Sequence, residues 1–368
     1  MVQDRTQPDG ETGRPPKRGW RRSRLGLFLP YILLAVIAAG WSAGWFWIRG
    51  RTAGEIDGWI AREAAAGRTW TCADRTLGGY PFRIELRCSA VTLERADGRF
   101  QLGPSTAVAQ IYQPRLVVFE SAGPFHVEQG DLTGDASWKA LQGSFHGAAE
   151  GFTRASLVID APQVAVTGAD PGPIAVAGRH LELHARPSPG RYESEGAVDV
   201  SLRLMQAAVP QLDALTGTPE PADLTLDATL TQATILRTGT VARELERWRQ
   251  AGGTLDLNGL SLAKGAQRVQ AKGTLGLDAA HRPAGQIDLR AAGVDALVGG
   301  IVGQRLGSER GALVGQLVGG LLGLSRRPEA DVPSDSAPLK ALPPLRLVDG
   351  KLVFSGFPIP NVRVPALY

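Results

Sequence analysis

The chain holds little of what catalytic and metal sites are built from. It has two cysteines and five histidines in 368 residues. It has no Cys-x-x-Cys pair and no His-Glu-x-x-His, so the zinc chemistries these spacings carry are excluded. No two glycines are separated by a single residue, which excludes a Gly-x-Gly-x-x-Gly dinucleotide loop. There is no Walker loop and no Gly-x-Ser-x-Gly elbow, and no cofactor motif is present. Aromatic residues make up only 6%. Surplus charge is also missing outside the N-terminus. The net charge is +4, and the first 24 residues account for it with seven basic and three acidic side chains. The rest is balanced, so nothing supports nucleic-acid binding, which needs a basic patch.

What is present begins with Leu25–Ile48, 24 positions without a charge. At about 1.5 Å per residue this run can cross a hydrocarbon core of about 30 Å as one transmembrane helix. Residues 1–24 are polar and read as a disordered basic tail. Arg14, Lys17, Arg18, Arg21, Arg22 and Arg24 precede the run, whereas Arg49 and Arg51 follow it with Glu55 and Asp57 just beyond. Basic flanks stay in the cytoplasm, so the expectation is a cytoplasmic N-terminus and a periplasmic C-terminal domain. Trp41, Trp45 and Trp47 fall near the outer interface. A cleaved signal peptide has an apolar core of about 7–15 residues and a small-residue cleavage site. This run is longer and ends in Gly44-Trp-Phe-Trp-Ile-Arg49, which favours an uncleaved anchor.

Cys72 and Cys88 both lie beyond the anchor, in the expected oxidising compartment, and with only two cysteines a disulfide has one connectivity. Thr52-Ala-Gly-Glu55 has capping-box spacing. Ile56, Trp59, Ile60 and Ala64 recur at helical intervals, so a separate short helix is expected near 55–66, stopping at Gly67.

From there the period becomes two. Phe82, Ile84, Leu86 and Cys88 alternate with charged residues after a turn at Gly78–Pro81. Val91 and Leu93 continue in the other phase, which places a bulge or crossover near Ser89-Ala90. Asp97-Gly98 signals a hairpin. Further strands are expected at 107–111, 116–119, 157–160, 163–166 and 181–185; the region of Trp138 and Phe145 gives no clear reading. Val198–Leu204 and Leu224–Leu230 alternate, and Gly253-Thr-Leu-Asp-Leu-Asn258 is echoed by Gly273-Thr-Leu-Gly-Leu-Asp278. A helix is expected at 241–250, with Val241, Leu245 and Trp248 on its apolar side. His180-Leu-Glu-Leu-His184 would share a helix face, but its alternating leucines mark a strand, with the two histidines roughly 13 Å apart.

Gly299 to Gly323 places a glycine every four residues. Each glycine costs about 1 kcal/mol in a helix, so two shorter helices within 294–323, packed through their glycine faces, are expected. They would cover an apolar sheet or contact the membrane. Residues 325–344 read as a linker and 345–368 as a hairpin turning at Asp349-Gly350. The β-rich domain thus runs over 49–324, completed by the C-terminal hairpin.

Alternating leucines require that one sheet face be covered by a second sheet, by helices or by a ligand. Two readings stay open, a closed sandwich core or a groove lined by Leu224, Leu226, Leu230, Leu255, Leu257, Leu275, Leu277, Ile287 and Leu289.

Trp70-Thr-Cys72 and Gly79-Tyr80-Pro81-Phe82-Arg-Ile-Glu-Leu-Arg-Cys88 resemble the signature of a bacterial family catalogued as domain of unknown function 2125. The Gly-Thr-Leu-x-Leu repeats also resemble the wider AsmA-like group of envelope proteins. That resemblance implies an anchor in the inner membrane of Gram-negative bacteria and a periplasmic β-rich groove that handles phospholipid. It implies no catalytic residue. The expected fold is mainly β, one N-terminal transmembrane helix followed by an extended, mostly antiparallel sheet domain, as open groove or sandwich, with a few short helices. The expected function is non-enzymatic binding or handling of lipid or another apolar ligand in envelope maintenance. The alternative is a scaffold for envelope proteins without a small ligand. Neither reading involves a cofactor, a metal or nucleic acid.

Overall fold

The structure is a computed structural model that describes residues 25–148, 151–168, 172–236, 239–293 and 338–368. It opens with helix α1 (Leu25–Ala65). Then come β1 (Thr69–Ala73), β2 (Thr76–Gly78), β3 (Arg83–Cys88), β4 (Ala90–Arg95), β5 (Gly98–Leu102), β6 (Ser105–Gln110) and β7 (Gln113–Ser121). Next are β8 (Phe125–Gln129), β9 (Leu132–Ser137), β10 (Ala140–Ala148), β11 (Gly151–Asp160), β12 (Gln163–Thr167), β13 (Ile174–Ala177) and β14 (His180–Pro187). Helix α2 (Tyr192–Glu195), β15 (Val198–Ala207), α3 (Pro210–Thr216), β16 (Ala222–Leu230) and α4 (Val241–Gln250) follow. The chain ends with β17 (Leu255–Lys264), β18 (Gln267–Leu277), β19 (Pro283–Ala292), β20 (Lys340–Ala341), β21 (Leu345–Val348), β22 (Lys351–Phe354) and β23 (Phe357–Arg363).

The protein is mostly β, with antiparallel sheets and few helices. The span and the expected helix near 55–66 are one continuous helix, which corrects the division between them. Thr52 does not cap a new start; its hydroxyl donates to Ile48 O one turn back. Gly50 and Gly54 are tolerated because the helix is held from outside, with Arg49 Nε donating to Leu77 O at 2.8 Å and Arg75 pairing with Asp57 at 2.7 Å. Gly67, at φ +78, turns the chain out of the helix into β1, as its sequence position predicts.

Among the described residues the strands form two sheets, a short one ordered β1-β4-β5-β8-β9-β12-β13 and a long one of sixteen strands running from β2-β3-β6-β7-β10-β11-β14 through β23. Up to β14 the chain alternates between them by hairpins. Each crossing takes only one to three residues, as at Ser89, Gly103-Pro104 and Trp138-Lys139. The phase change near Ser89-Ala90 is therefore a crossover between sheets. Backbone bonds such as Gly103 N to Pro124 O and Lys139 N to Asp160 O seal this seam, and Trp138 Nε1 donates across it to Ser121 O. The two sheets are walls joined along one edge.

Cys72 of β1 and Cys88 of β3 are bonded, 16 residues apart, and tie the short wall to the long one near the start of both. Closing a loop of this size restricts the unfolded chain by about 3 kcal/mol. Cys88→Ala is expected to lower stability by about that amount, read from denaturant unfolding of the detergent-solubilised chain with and without reductant. Reductant should then affect only the parent protein.

Three expectations in the second half change. Lys340–Ala341 lies inside 325–344 yet is a strand, pairing Ala341 with Arg290, so that end of the expected linker belongs to the sheet. The hairpin at Asp349-Gly350 forms and gains a third strand, β23. In α4, Trp248 is buried but Val241 is exposed, because the helix turns Glu244 and Trp248 inward and leaves Val241, its first residue, outside. The glycine-spaced helices expected within 294–323 lie outside the described residues.

Candidate functional site

Antiparallel pairing puts directly opposed residues on one face, so the register reads out each face of the long sheet. One row is Leu86, Ala107, Phe119, Gly143, Leu157, Leu183, Leu202, Leu226, Leu260, Ala271 and Leu289. The neighbouring row in the second half is Val200, Ala228, Leu257, Gly273, Ile287 and Leu345. Beyond it lie Val198, Leu230, Leu255, Leu275, Gly285 and Leu347. From β3 to β21 the apolar face runs on from strand to strand, about 50 Å at the usual spacing of strands.

The register shift in β17 keeps this face continuous. Leu255 and Leu257 precede the bulge, and Leu260 and Leu262 follow it. If Asn258-Gly259 kept a regular pleat instead of bulging, the last two leucines would point to the other side.

The opposite face is polar. Arg203, Thr225, Ser261, Gln270 and Arg290 form one of its rows. Hollows of 430 and 670 Å³ on this side are lined by groups such as Arg154, His184, Asp227, Lys272 and Asp288.

The short wall repeats the pattern with Trp70, Leu93, Phe100 and Val127 in one row and Cys72, Val91, Leu102, Phe125, Ala136, Val164 and Val176 in the next. Cys72 and Cys88 both belong to apolar rows, and a disulfide joins them. The apolar faces therefore look at each other across the seam. Among the described residues the inside is not packed shut: Val164 and Ile174 are exposed, and most other inward side chains are only half-buried. The result is a trough with apolar walls and a polar exterior.

Helix α1 closes one end of it. Its Trp45 Nε1 donates to Arg83 O, where β3 leaves the β2–β3 turn, and its Ile56 lines a 170 Å³ hollow with Leu77 and Leu86 of the long wall. Trp59 meets Trp70 of the short wall at 5.4 Å. From β15 onward every described strand belongs to the long sheet, so the short wall ends there. Near that place α3 leans on β13, with Gln211 donating to Pro173 O. Lys264 Nζ, at the end of an apolar row and almost fully buried, bonds to Asp213 Oδ1 of α3 at 2.6 Å.

Of the nine residues expected to line a groove, eight stand in the paired rows above or the adjoining one that holds Leu224, and Leu277 extends the row of Leu275 by one alternation. Leu257 is buried, at 9% exposure, and the other eight are half-buried. Sequence reasoning did not include Leu202, Leu204, Leu260 and Leu262, or the first-half residues Leu86, Phe119, Leu157 and Leu183. Alternation marks each strand, but only pairing shows that they share a face. Gly79, Tyr80, Pro81 and Phe82 form the β2–β3 turn. Gly79 sits at φ +99, where a Cβ would lie 2.7 Å from Arg83 O, so glycine is required there.

The His180–His184 motif is a strand on the polar face. His180 Nδ1 meets Asp160 Oδ1 at 2.7 Å, and Glu182 stands between the two histidines at 3.1 and 3.4 Å. Asp160 first, then Glu182, raises the His180 pKa above its ordinary 6.5. A raised value stabilises the fold below the unfolded pKa, and this is lost as pH rises through the folded one. Thermal melts across neutral pH should show the parent protein losing its advantage over His180→Gln as pH rises from 6.5.

Among the described residues no group of three or more His, Cys, Asp or Glu side chains is arranged to hold a metal ion. One described helix, over residues 27–65, is long and apolar enough to cross a membrane. Neither the curated proteins nor the solved structures contain a match to the chain. A family model does match, over residues 45–363, and its span includes Trp45, the disulfide, both walls and the C-terminal strands. The chain therefore belongs to the bacterial family described as uncharacterized protein conserved in bacteria, DUF2125.

Proposed function

We propose that the trough holds lipid acyl chains, or another long apolar ligand, without catalysing a reaction on them. The observation that carries this reading is one apolar face continued by register across the long sheet, half-buried, with a polar back. A closed sandwich would bury those side chains against a second sheet along their whole length. Among the described residues the second sheet accompanies only part of the face. Exposed apolar surface on this scale marks a binding surface, and an alkyl chain laid along it would be drawn out of water at about 0.8 kcal/mol per methylene.

The helix that carries the apolar span also closes one end of the trough, which keeps the site beside a bilayer. The basic flank before Leu25 and the disulfide agree with a periplasmic domain on an inner-membrane anchor, as does the resemblance of the repeats to the AsmA-like group. Two measurements test the reading. Mass spectrometry of lipids retained by the purified full chain after extensive detergent exchange should find bound lipid in fixed proportion to protein; lipid-free protein would refute it. For topology, a phosphatase fused after Tyr368 should be active and a cytoplasm-only fluorescent protein there dark; the reverse pair would overturn the orientation.

A further inference from the structure

We propose that the β domain itself rests in the headgroup region of the bilayer, through an aromatic seat formed by Tyr80, Phe82 and Tyr112. The inference rests on α1 spanning the bilayer. A helix needs about 20 apolar residues to cross the hydrocarbon. Counted from Arg24, the last charge before the run, the outer boundary of the hydrocarbon falls near Trp41 to Trp47. That segment of the helix grips the β2–β3 turn. Trp41 Nε1 donates to Pro81 O at 2.9 Å, and the hydroxyls of Ser42 and Tyr80 lie 2.8 Å apart. Trp45 Nε1 donates to Arg83 O at 3.0 Å, and Tyr80 packs on Trp45 and Phe46. The turn is therefore fixed at the depth of the boundary by the geometry of the helix itself.

The side chains of the turn suit that depth. Phe82 lies 5.9 Å from Trp41 yet is 59% exposed, and Tyr80 is 55% exposed. The next hairpin tip joins them, because Ile111 N donates to Phe82 O at 3.0 Å, and the residue after Ile111, Tyr112, is 64% exposed. Three exposed rings on two adjacent tips form a patch that water disfavours and that the interface favours, since tyrosine joins an apolar ring to a polar hydroxyl. A single span would leave the domain free to tilt; a second contact at a fixed distance from it holds the trough in one attitude to the membrane.

The test uses the full chain in nanodiscs, with an environment-sensitive fluorophore on Phe82→Cys, Tyr112→Cys, Leu132→Cys or Ile37→Cys in turn. Tyr112 stands on a turn, so its variant keeps the fold even if Phe82→Cys does not. Leu132 is an exposed apolar residue at a tip of the short wall, and Ile37 lies within the span. The expected result is a blue-shifted emission at 82 and 112 that lipids bearing a nitroxide near the headgroup quench several times more strongly than the label at 132. The label at 37 should be quenched by nitroxides deep in the acyl region. Labels at 82 and 112 as water-exposed as that at 132, with 37 deep, would overturn the seat and leave the span standing. A label at 37 that no lipid quenches would remove the span and the seat together. Shielding at 82 and 112 without quenching by any lipid would mean a protein partner on the patch, and would overturn the bilayer assignment.

Discussion

Changing Leu202, Leu226 and Leu260 together to asparagine is expected to strip the purified protein of bound lipid. The three face one another on adjacent strands in the middle of the apolar face, Leu202 opposite Leu226 and Leu226 opposite Leu260. Each is half-buried. A ligand therefore covers what is left of each side chain, about 1 kcal/mol per leucine at ordinary transfer values. Losing three such contacts weakens binding by about 3 kcal/mol, roughly a hundredfold. Val118→Asn supplies the control, since Val118 is similarly apolar and exposed but lies on the polar face, one position out of phase with Phe119. Lipid retained by the triple variant at the parent level, with the control unchanged, would end the trough reading.

Trp248→Ala is expected to be the most destabilising single change in the second half, at about 3–5 kcal/mol. The 24 residues between β16 and β17 leave the sheet and return to it, and α4 is what they fold around. Trp248 is 6% exposed, and its indole donates to Thr231 O at 2.7 Å. Removing it leaves a cavity and an unpaired carbonyl at once. Gly253 closes over the ring so tightly that a Cβ there would sit 2.2 Å from Nε1, so Gly253→Ala should be destabilising for the opposite reason, overpacking. The same helix reaches the chain's end, where Glu246 accepts from the Tyr368 hydroxyl at 2.8 Å while Tyr368 stacks on His281 at 4.3 Å. Arg249 first, and Tyr368 after it, hold the Glu246 carboxyl down at about 2. Denaturant midpoints and their slopes should show both variants less stable with lipid binding intact, because α4 lies at the ends of the strands and contributes no side chain to the central apolar rows.

Local rules legible in residue order account for much of this protein. The charge-free run and its basic flank mark the apolar helix. Period-two alternation marks the strands, since side chains point to opposite faces whatever the strand pairs with. Asp97-Gly98 and Asp349-Gly350 mark hairpins, and the cysteine pair has a single connectivity. Local rules also misjudged what depends on distant contacts. Capping-box spacing at Thr52 suggests a helix start, yet the helix runs through because Leu77 and Arg75 hold it from outside. Lys340–Ala341 sits among residues that read as a linker, and pairing with β19 makes it a strand. Whether the leucines of one strand share a face with those of the next depends on register, and register depends on the bulge at Asn258-Gly259 and on crossings such as Ser89. Each strand's own sequence determines which residues alternate. Only the pairing of strands, and the seam and disulfide that turn two apolar faces toward each other, decides that they enclose a trough.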